Sequence, residues 1–403
     1  MVALTFLVTL STAAVMGLAT ILMLPLKTEF GWDTGSISGA LSLRLMLFGL
    51  VAPFAGAFIA RYGISRMVGL ALLLVVTGVG LATQMSDLWQ LWATWGVMVG
   101  VGTGITAMVL GATVATRWFT ARRGLVIGLL TAANATGQLL FLPVAAWTLA
   151  HLGWRLAMLP PLIACLVAWL LMAILGRDYP GQLGLAPYGE TALMPPPMRP
   201  SGNPFSTSLT VLLEASHEPM FWLLFGTFFV CGLSTNGLIQ SHFVPLCHDF
   251  GMDVVAAAGV LALMGVFDFI GTIGSGWLSD RFDNRKLLFT YYGLRGLSLM
   301  ALPYSDFSFF GLSLFAVFYG LDWIATVPPT VRLAGLTFGR ERAPLVFGWI
   351  FAGHQLGAAV ATEGAGLVRD GTGSYLPAFF VSGAMCLVAA LAVVWVRRRP
   401  ALG

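Results

Sequence analysis

The sequence contains very few charged residues. Only 9% of its 403 residues are Asp, Glu, Lys or Arg, whereas 58% are hydrophobic, and the mean hydropathy is +0.87. An ordinary globular domain has roughly a quarter of its residues charged. This scarcity excludes a water-soluble protein and indicates one that lives in a lipid bilayer.

Residues that hold metals or form disulfides are also scarce. The four cysteines are far apart, and the five histidines show no metal-ligand spacing. No disulfide framework, metal site or cofactor is therefore predicted. The sequence also lacks a phosphate-binding loop and a nucleophile motif in a polar domain. We expect neither an enzyme nor an ATP-driven pump.

Apolar runs are abundant instead, and they are long enough to cross about 30 Å of hydrocarbon. They predict an all-α integral membrane protein with twelve transmembrane helices, which we call spans one to twelve. The predicted spans are 3–25, 34–60, 67–85, 88–113, 124–149, 154–176, 220–244, 254–279, 287–303, 307–331, 344–368 and 375–396.

The second half of the chain repeats the first. Residues 25–66 align with 245–286 at a fixed offset of 220, with ten identities in 42 positions. A half-length parallel repeat in a membrane chain is typical of transporters whose two bundles rock about a central site. We therefore predict two pseudo-symmetric six-helix bundles, residues 1–176 and 220–403, joined by a Pro-rich cytoplasmic linker, residues 177–219.

Basic residues are distributed unevenly between the two sides of the membrane. If both termini are cytoplasmic, 16 of the 21 Lys and Arg residues lie in cytoplasmic loops, as the retention of basic loops requires. The net charge of +4 thus reflects topology, and we expect no nucleic-acid partner. The expected partners are the bilayer, a small-molecule substrate and protons, with the chain as a monomer.

Two related loops follow spans two and eight. Both resemble the inter-helix motif of the major facilitator superfamily, in which a glycine precedes an acidic-basic pair and further basic residues. Ala60 stands where the acid is expected in the first copy. In that family the loop latches the two halves in the outward-open state. The resemblance implies six gating residues: Gly56, Arg61, Arg66, Gly276, Asp280 and Arg281.

A narrower resemblance concerns the branch of that superfamily. The stretch 117–128 is similar to the signature of the monocarboxylate-porter and oxalate/formate branch, and 177–190 resembles its bacterial members. The resemblance implies an organic-anion substrate and a bacterial cytoplasmic (inner) membrane. That branch has an arginine four residues after an acid on span eight, but here Thr272 follows Asp268 at that spacing. The anion contact would therefore fall to Arg44 or Arg295.

Charged residues inside the spans are candidates for function, because an unpaired charge in the bilayer costs several kcal/mol. The superfamily resemblance implies that span ten lines the cavity, that spans two and eight flank it, and that span nine lies outside. Asp268, Arg295 and Asp322 are predicted to form a charge network coupled to protons, in which Arg295 is the structural partner of Asp322 or Asp268. The role of Arg44 is left open: it either binds a substrate anion, or it forms a structural ion pair or takes part in gating.

Four uncharged side chains complete the predicted substrate site: Asn134, His354, Gln355 and Trp323. Asn134 and His354 are equivalent in the repeat. Hydrogen bonds between helices or simple packing would explain these residues equally well, and His354 is an alternative proton carrier. The expected function is proton-coupled uptake of a small organic anion. Export of amphipathic compounds, or import of a neutral vitamin-like solute, is left open.

Overall fold

The structure is a computed structural model that describes residues 1–106, 108–193 and 203–395. The described chain is almost entirely helical. Helices are expected here because hydrocarbon offers no partners for backbone N–H and C=O groups, which must therefore bond within each span.

Ten helices within the described ranges are long and apolar enough to cross a membrane. They are Val2–Phe30, Thr34–Tyr62, Ile64–Ala82, Leu88–Trp118, Trp154–Leu175, Pro219–Asp249, Val254–Arg281, Phe309–Gly339, Leu345–Thr372 and Leu376–Trp395. Two further helices, Arg123–Leu152 and Asn284–Ala301, lie at the positions of spans five and nine. The predicted all-α membrane fold is confirmed.

Successive spans run in opposite directions, so their connections alternate between two faces. We call the face that carries Met1 the proximal face and the opposite one, reached at Gly31–Asp33, the distal face. On the distal face the repeat supplies the same helix-start signal twice. Asp33 accepts a hydrogen bond from Ser36 N (2.7 Å), and its equivalent Asp253 accepts one from Val255 N (2.9 Å).

The two halves meet mainly along two pairs of helices, and spans one and seven also touch. Span two packs along span eleven, and span five packs along span eight. The halves are also joined by a helix in the segment between them, Pro204–Ser216. Ser208 Oγ donates to Pro53 O of span two (3.1 Å), and Trp349 Nε1 of span eleven donates to Ser208 O (2.9 Å). Proline-rich composition indicated only a linker here, so this bridging helix is a feature that the sequence did not reveal.

Candidate functional site

Span ten is interrupted in its middle. Its first helix ends at Asp322 and the next begins at Val327, with residues 323–326 in turns. Pro328 and Pro329 follow at once and lack the N–H groups needed to continue the hydrogen-bond ladder backwards. An interruption at this depth leaves backbone groups unpaired, and the surrounding protein must satisfy them.

Arg295 of span nine satisfies two of the carbonyl groups at this interruption. Its side chain is 1% exposed, and its Nε donates to Asp322 Oδ2 at 2.7 Å. Its Nη2 donates to Asp322 O (2.5 Å) and Trp323 O (3.0 Å), and Nη1 contacts Cys231 Sγ at 2.9 Å. Arg295 therefore neutralises Asp322 and also holds the interrupted backbone of span ten.

Asp268 of span eight binds the backbone of the same interruption. Its Oδ1 accepts hydrogen bonds from Ile324 N (2.9 Å) and Thr272 Oγ1 (3.1 Å). Two turns after Asp268 on span eight, Ser275 Oγ donates to Ala325 O (2.5 Å). The side chain of Asp268 is buried, and within the described chain no cation lies within 4 Å of it. Asp268 is thus a carboxylate that accepts a backbone hydrogen bond and has no described cation within 4 Å.

Glycines bring spans eight and ten close enough for these bonds. A Cβ at Gly320 would lie 2.5 Å from Met264 O, and one at Gly271 would collide with Leu321 O. Any larger residue would separate the two helices, so the hydrogen bonds from span eight depend on this close packing.

Arg44 of span two is the second buried arginine of the described chain, with 1% exposure. Its Nη1 donates to Met16 O (3.1 Å) and lies 3.2 Å from Met16 Sδ, whereas its Nε is buried and lacks a described partner. Among the residues that the structure describes, no carboxylate lies within 4 Å of it. A structural ion pair was one of the roles left open for Arg44. Arg44 forms no such pair with any described residue.

The backbone at Arg44 is fixed by the glycines of span four. A Cβ at Gly100 would lie 2.9 Å from Arg44 O, and one at Gly96 would lie 3.3 Å from Ala40 O. One turn later, a Cβ at Gly104 would lie 3.1 Å from Phe48 O. Three glycines at four-residue spacing thus let span four pack directly on the backbone of span two.

His354 and Gln355 lie on span eleven where it meets span two. Gln355 Nε2 is 3.2 Å from His354 Nδ1, and Gln355 Oε1 is buried without a hydrogen bond to the described chain. The Gln355 side chain packs against Gly49, about one and a half turns along span two from Arg44. His354 stacks on Phe351, with ring centroids 5.9 Å apart. Gln355 from the second half therefore faces the span that carries Arg44.

Trp323 and Asn134 occupy different settings. Trp323 is half-buried at the interruption of span ten, where its ring packs edge-on against Tyr319. The Asn134 side chain, on span five, is exposed. Neither has a contact that selects between substrate binding and packing, so both remain predictions.

The predicted gating loops lie on the proximal face. Asp280 bonds to Arg332 of span ten, and Arg281 lies over the Trp277 ring at 3.9 Å, so these contacts stay within the second half. In the first copy, Asp178 Oδ1 accepts from Ser65 N (3.0 Å) at the start of span three.

The same first copy also contains Gly56, Arg61 and Arg66. A Cβ at Gly56 would lie 3.0 Å from Val109 of span four, Arg61 lies over the Tyr62 ring at 5.7 Å, and Arg66 is exposed. A Cβ at Gly276, in the second copy, would have no atom within 4 Å. The gating role of these residues stays a prediction.

Comparison with known proteins agrees with this architecture. The sequence model described as Major Facilitator Superfamily matches residues 4–362. The chain belongs to this superfamily. Its members are transporters, so the protein is an integral, multi-pass membrane transporter and not an enzyme.

The similar curated proteins are also transporters of this superfamily. The chain is 27% identical over 362 residues to the uncharacterized MFS-type transporter YcxA of Bacillus subtilis, covering 88% of this chain and 84% of that protein. It is 26% identical over 359 residues to monocarboxylate transporter 13 of Rattus norvegicus, covering 86% and 76%. The predicted resemblance to monocarboxylate transporters is confirmed.

Solved structures share the fold. A crystal structure of a D-xylose-proton symporter superposes with a TM-score of 0.74 at 14% identity, covering 98% of this chain and 96% of that one. A partially occluded, inward-open form of the xylose transporter XylE from E. coli gives a TM-score of 0.72 at 13% identity, covering 98% and 97%. At such low identity these matches establish the fold alone.

Proposed function

We propose that this secondary transporter moves a small organic anion across the bacterial cytoplasmic membrane, coupled to protons, by alternating access between its two halves. The observation that carries the proposal is the buried guanidinium of Arg44, which has no described carboxylate beside it. A bound anion would supply the missing negative charge. Arginine suits this role because its planar fork can bind both oxygens of a carboxylate.

The second half would contribute polar groups across the interface. Gln355 has a buried carbonyl oxygen without a described donor, and it packs against the span that carries Arg44. A polar ligand between the halves could use both groups, since Arg44 offers donors and Gln355 offers an acceptor. We propose His354, Trp323 and Asn134 as further contacts, with the weight of the proposal on Arg44 and Gln355.

Proton coupling would centre on the two acids at the interruption of span ten. Asp322 is engaged by Arg295, whereas Asp268 has no described cation beside it. A carboxylate without a counter-ion is costly to keep charged in the bilayer, and binding a proton removes that cost. Asp268 accepts a hydrogen bond from Ile324 N. A proton on Asp268 would therefore weaken a bond that holds the interrupted backbone of span ten.

The relatives support the same class of substrate. Monocarboxylate transporters of several vertebrates align over most of their length with this chain. The proximal face would be cytoplasmic, since the basic loops are concentrated there.

The test is uptake of labelled lactate, pyruvate and oxalate into proteoliposomes, with and without an inward proton gradient. We expect gradient-stimulated uptake of at least one acid, and a loss of about 100-fold for Arg44→Ala, comparable to losing one charged hydrogen-bonded contact. Arg155→Ala is the matched control, because Arg155 pairs with Glu29 at the surface (2.7 Å).

Two outcomes would contradict the proposal. Full uptake by a folded Arg44→Ala variant would remove Arg44 from the anion site. Absence of uptake for the whole panel, in sealed vesicles, would favour export of amphipathic compounds or import of a neutral solute.

A further inference from the structure

The start of span two is hydrogen-bonded to the other half of the molecule. Asp370, near the end of span eleven, accepts hydrogen bonds from Thr34 N on Oδ1 (3.2 Å) and from Gly35 N on Oδ2 (2.5 Å). These N–H groups belong to the first helical turn and have no partner within their own helix. Asp33 bonds Ser36 N instead, so each half of the molecule contributes one carboxylate to this helix start.

Close packing surrounds this contact. A Cβ at Gly35 would lie 3.0 Å from Leu367 Cδ2 and 3.1 Å from Asp370 Oδ2. A Cβ at Gly366 would lie 2.5 Å from Ser38 Oγ, and Ser38 is fully buried without a described hydrogen-bond partner. Spans two and eleven therefore touch through glycines on either side of the Asp370 bonds and seal this part of the distal face.

The charge of Asp370 is left available for span two. The neighbouring Arg369 is bonded to Asp249 of span seven by Nε (2.8 Å) and Nη2 (3.0 Å). That pairing turns the neighbouring guanidinium toward Asp249, and Lys27 Nζ, at the same helix start, donates to Thr34 Oγ1 (3.0 Å). A negative carboxylate at a helix start is also favoured by the helix dipole, which adds to the two hydrogen bonds.

The repeat shows that this contact is one-sided. The offset of 220 places Ala150 of span five at the position of Asp370, and an alanine side chain cannot accept hydrogen bonds. Span eight, which is equivalent to span two, begins with its own cap Asp253. At the junction of spans two and eleven, a carboxylate of one half thus caps a helix of the other half. The junction of spans five and eight has Ala150 at the equivalent position and no such cap there.

We propose that Asp370 is the latch of the distal gate: its carboxylate must leave Thr34 N and Gly35 N before the distal end can open between spans two and eleven. The occupied latch favours the state closed at the distal face. Opening there would separate the glycine contact and expose Ser38.

Thiol accessibility at position 38 tests the latch. Ser38→Cys would be labelled with a membrane-impermeant maleimide in nanodiscs, with and without Asp370→Ala. All four native cysteines are buried, so the protein without Ser38→Cys gives the background rate. We expect labelling to be about fivefold faster with Asp370→Ala, the size of effect that follows from losing a helix cap.

Asp306→Ala is the matched control, because Asp306 lies on the same face and bonds Ser308 in its own loop. Asp370→Asn is the milder variant if the alanine variant does not fold, and it should give a smaller increase. Equal labelling rates with and without the Asp370 substitutions, in variants that remain folded, would overturn the proposal. So would an equal increase in Asp306→Ala.

Discussion

In the part of the chain whose burial is described, each half of this transporter has one buried arginine, and the two arginines differ in how they are satisfied. Arg295 in the second half has a carboxylate, two backbone carbonyls and a thiol within hydrogen-bond distance. Arg44 in the first half bonds one backbone carbonyl and a thioether, with no described carboxylate beside it. The contrast separates an arginine that is paired with a carboxylate inside the protein from one that has no described counter-charge.

The largest expected effect is on stability at Arg295. Arg295→Met should lower the free energy of unfolding by about 3 to 5 kcal/mol, because it leaves Asp322 charged and buried without a partner. Thermal unfolding in detergent measures the effect. Arg155→Met, at an exposed pair, should cost less than about 1 kcal/mol. Equal costs for the two variants would show that the buried pair is not structural.

Arg44→Met should not lower the free energy of unfolding. Removing a buried guanidinium that lacks a counter-charge should leave stability unchanged or raise it, by about 1 to 2 kcal/mol. The same unfolding measurement, made beside Arg295→Met, tests this directly. A cost as large as that of Arg295→Met would mean that Arg44 is a structural residue like Arg295.

Asp268 and Asp322 differ as the two arginines do: Asp322 is paired with an opposite charge, and Asp268 has no described cation within 4 Å. Asp268→Asn should abolish stimulation of uptake by a proton gradient, an effect of about tenfold, since a neutral amide cannot bind and release the proton. Asp322 is the other predicted coupling acid. Asp322→Asn should instead lower the stability of the fold, because it removes the charge that pairs with Arg295. Uptake at several pH values, compared with unfolding of each variant, separates the two. Normal gradient stimulation in Asp268→Asn would assign coupling elsewhere.

The smallest effect is expected at Ser275. Ser275→Ala removes one hydrogen bond to Ala325 O and should cost about 0.6 kcal/mol, the average for such bonds within membranes. Ser313→Ala, whose hydroxyl bonds its own helix at Phe309 O, is the control and should cost less. A cost as large as that of Arg295→Met would show that span ten depends on this bond as much as on Arg295.

Sequence patterns predicted part of the site. Burial of Asp268, Arg295 and Asp322 followed from charges placed inside apolar runs, and the ion pair of Arg295 formed with one of its two expected partners. The interruption of span ten was harder to anticipate. Pro328 and Pro329 indicated a bend, but the turns lie before them, at residues 323–326. Cys231 and Ser275 carry no motif that would mark them as supports of this interruption.

The sequence by itself determined that the protein is helical, spans a membrane and consists of two related halves. Hydrophobic length and the repeat are properties of residues along the chain, and both follow from the bilayer as solvent. Tertiary structure alone decided which charges are paired and where the halves touch. Arg295 and Asp322 are 27 residues apart, and Asp370 lies more than 300 residues from Thr34. Contacts over such separations depend on how helices pack, which a pattern along one chain does not specify.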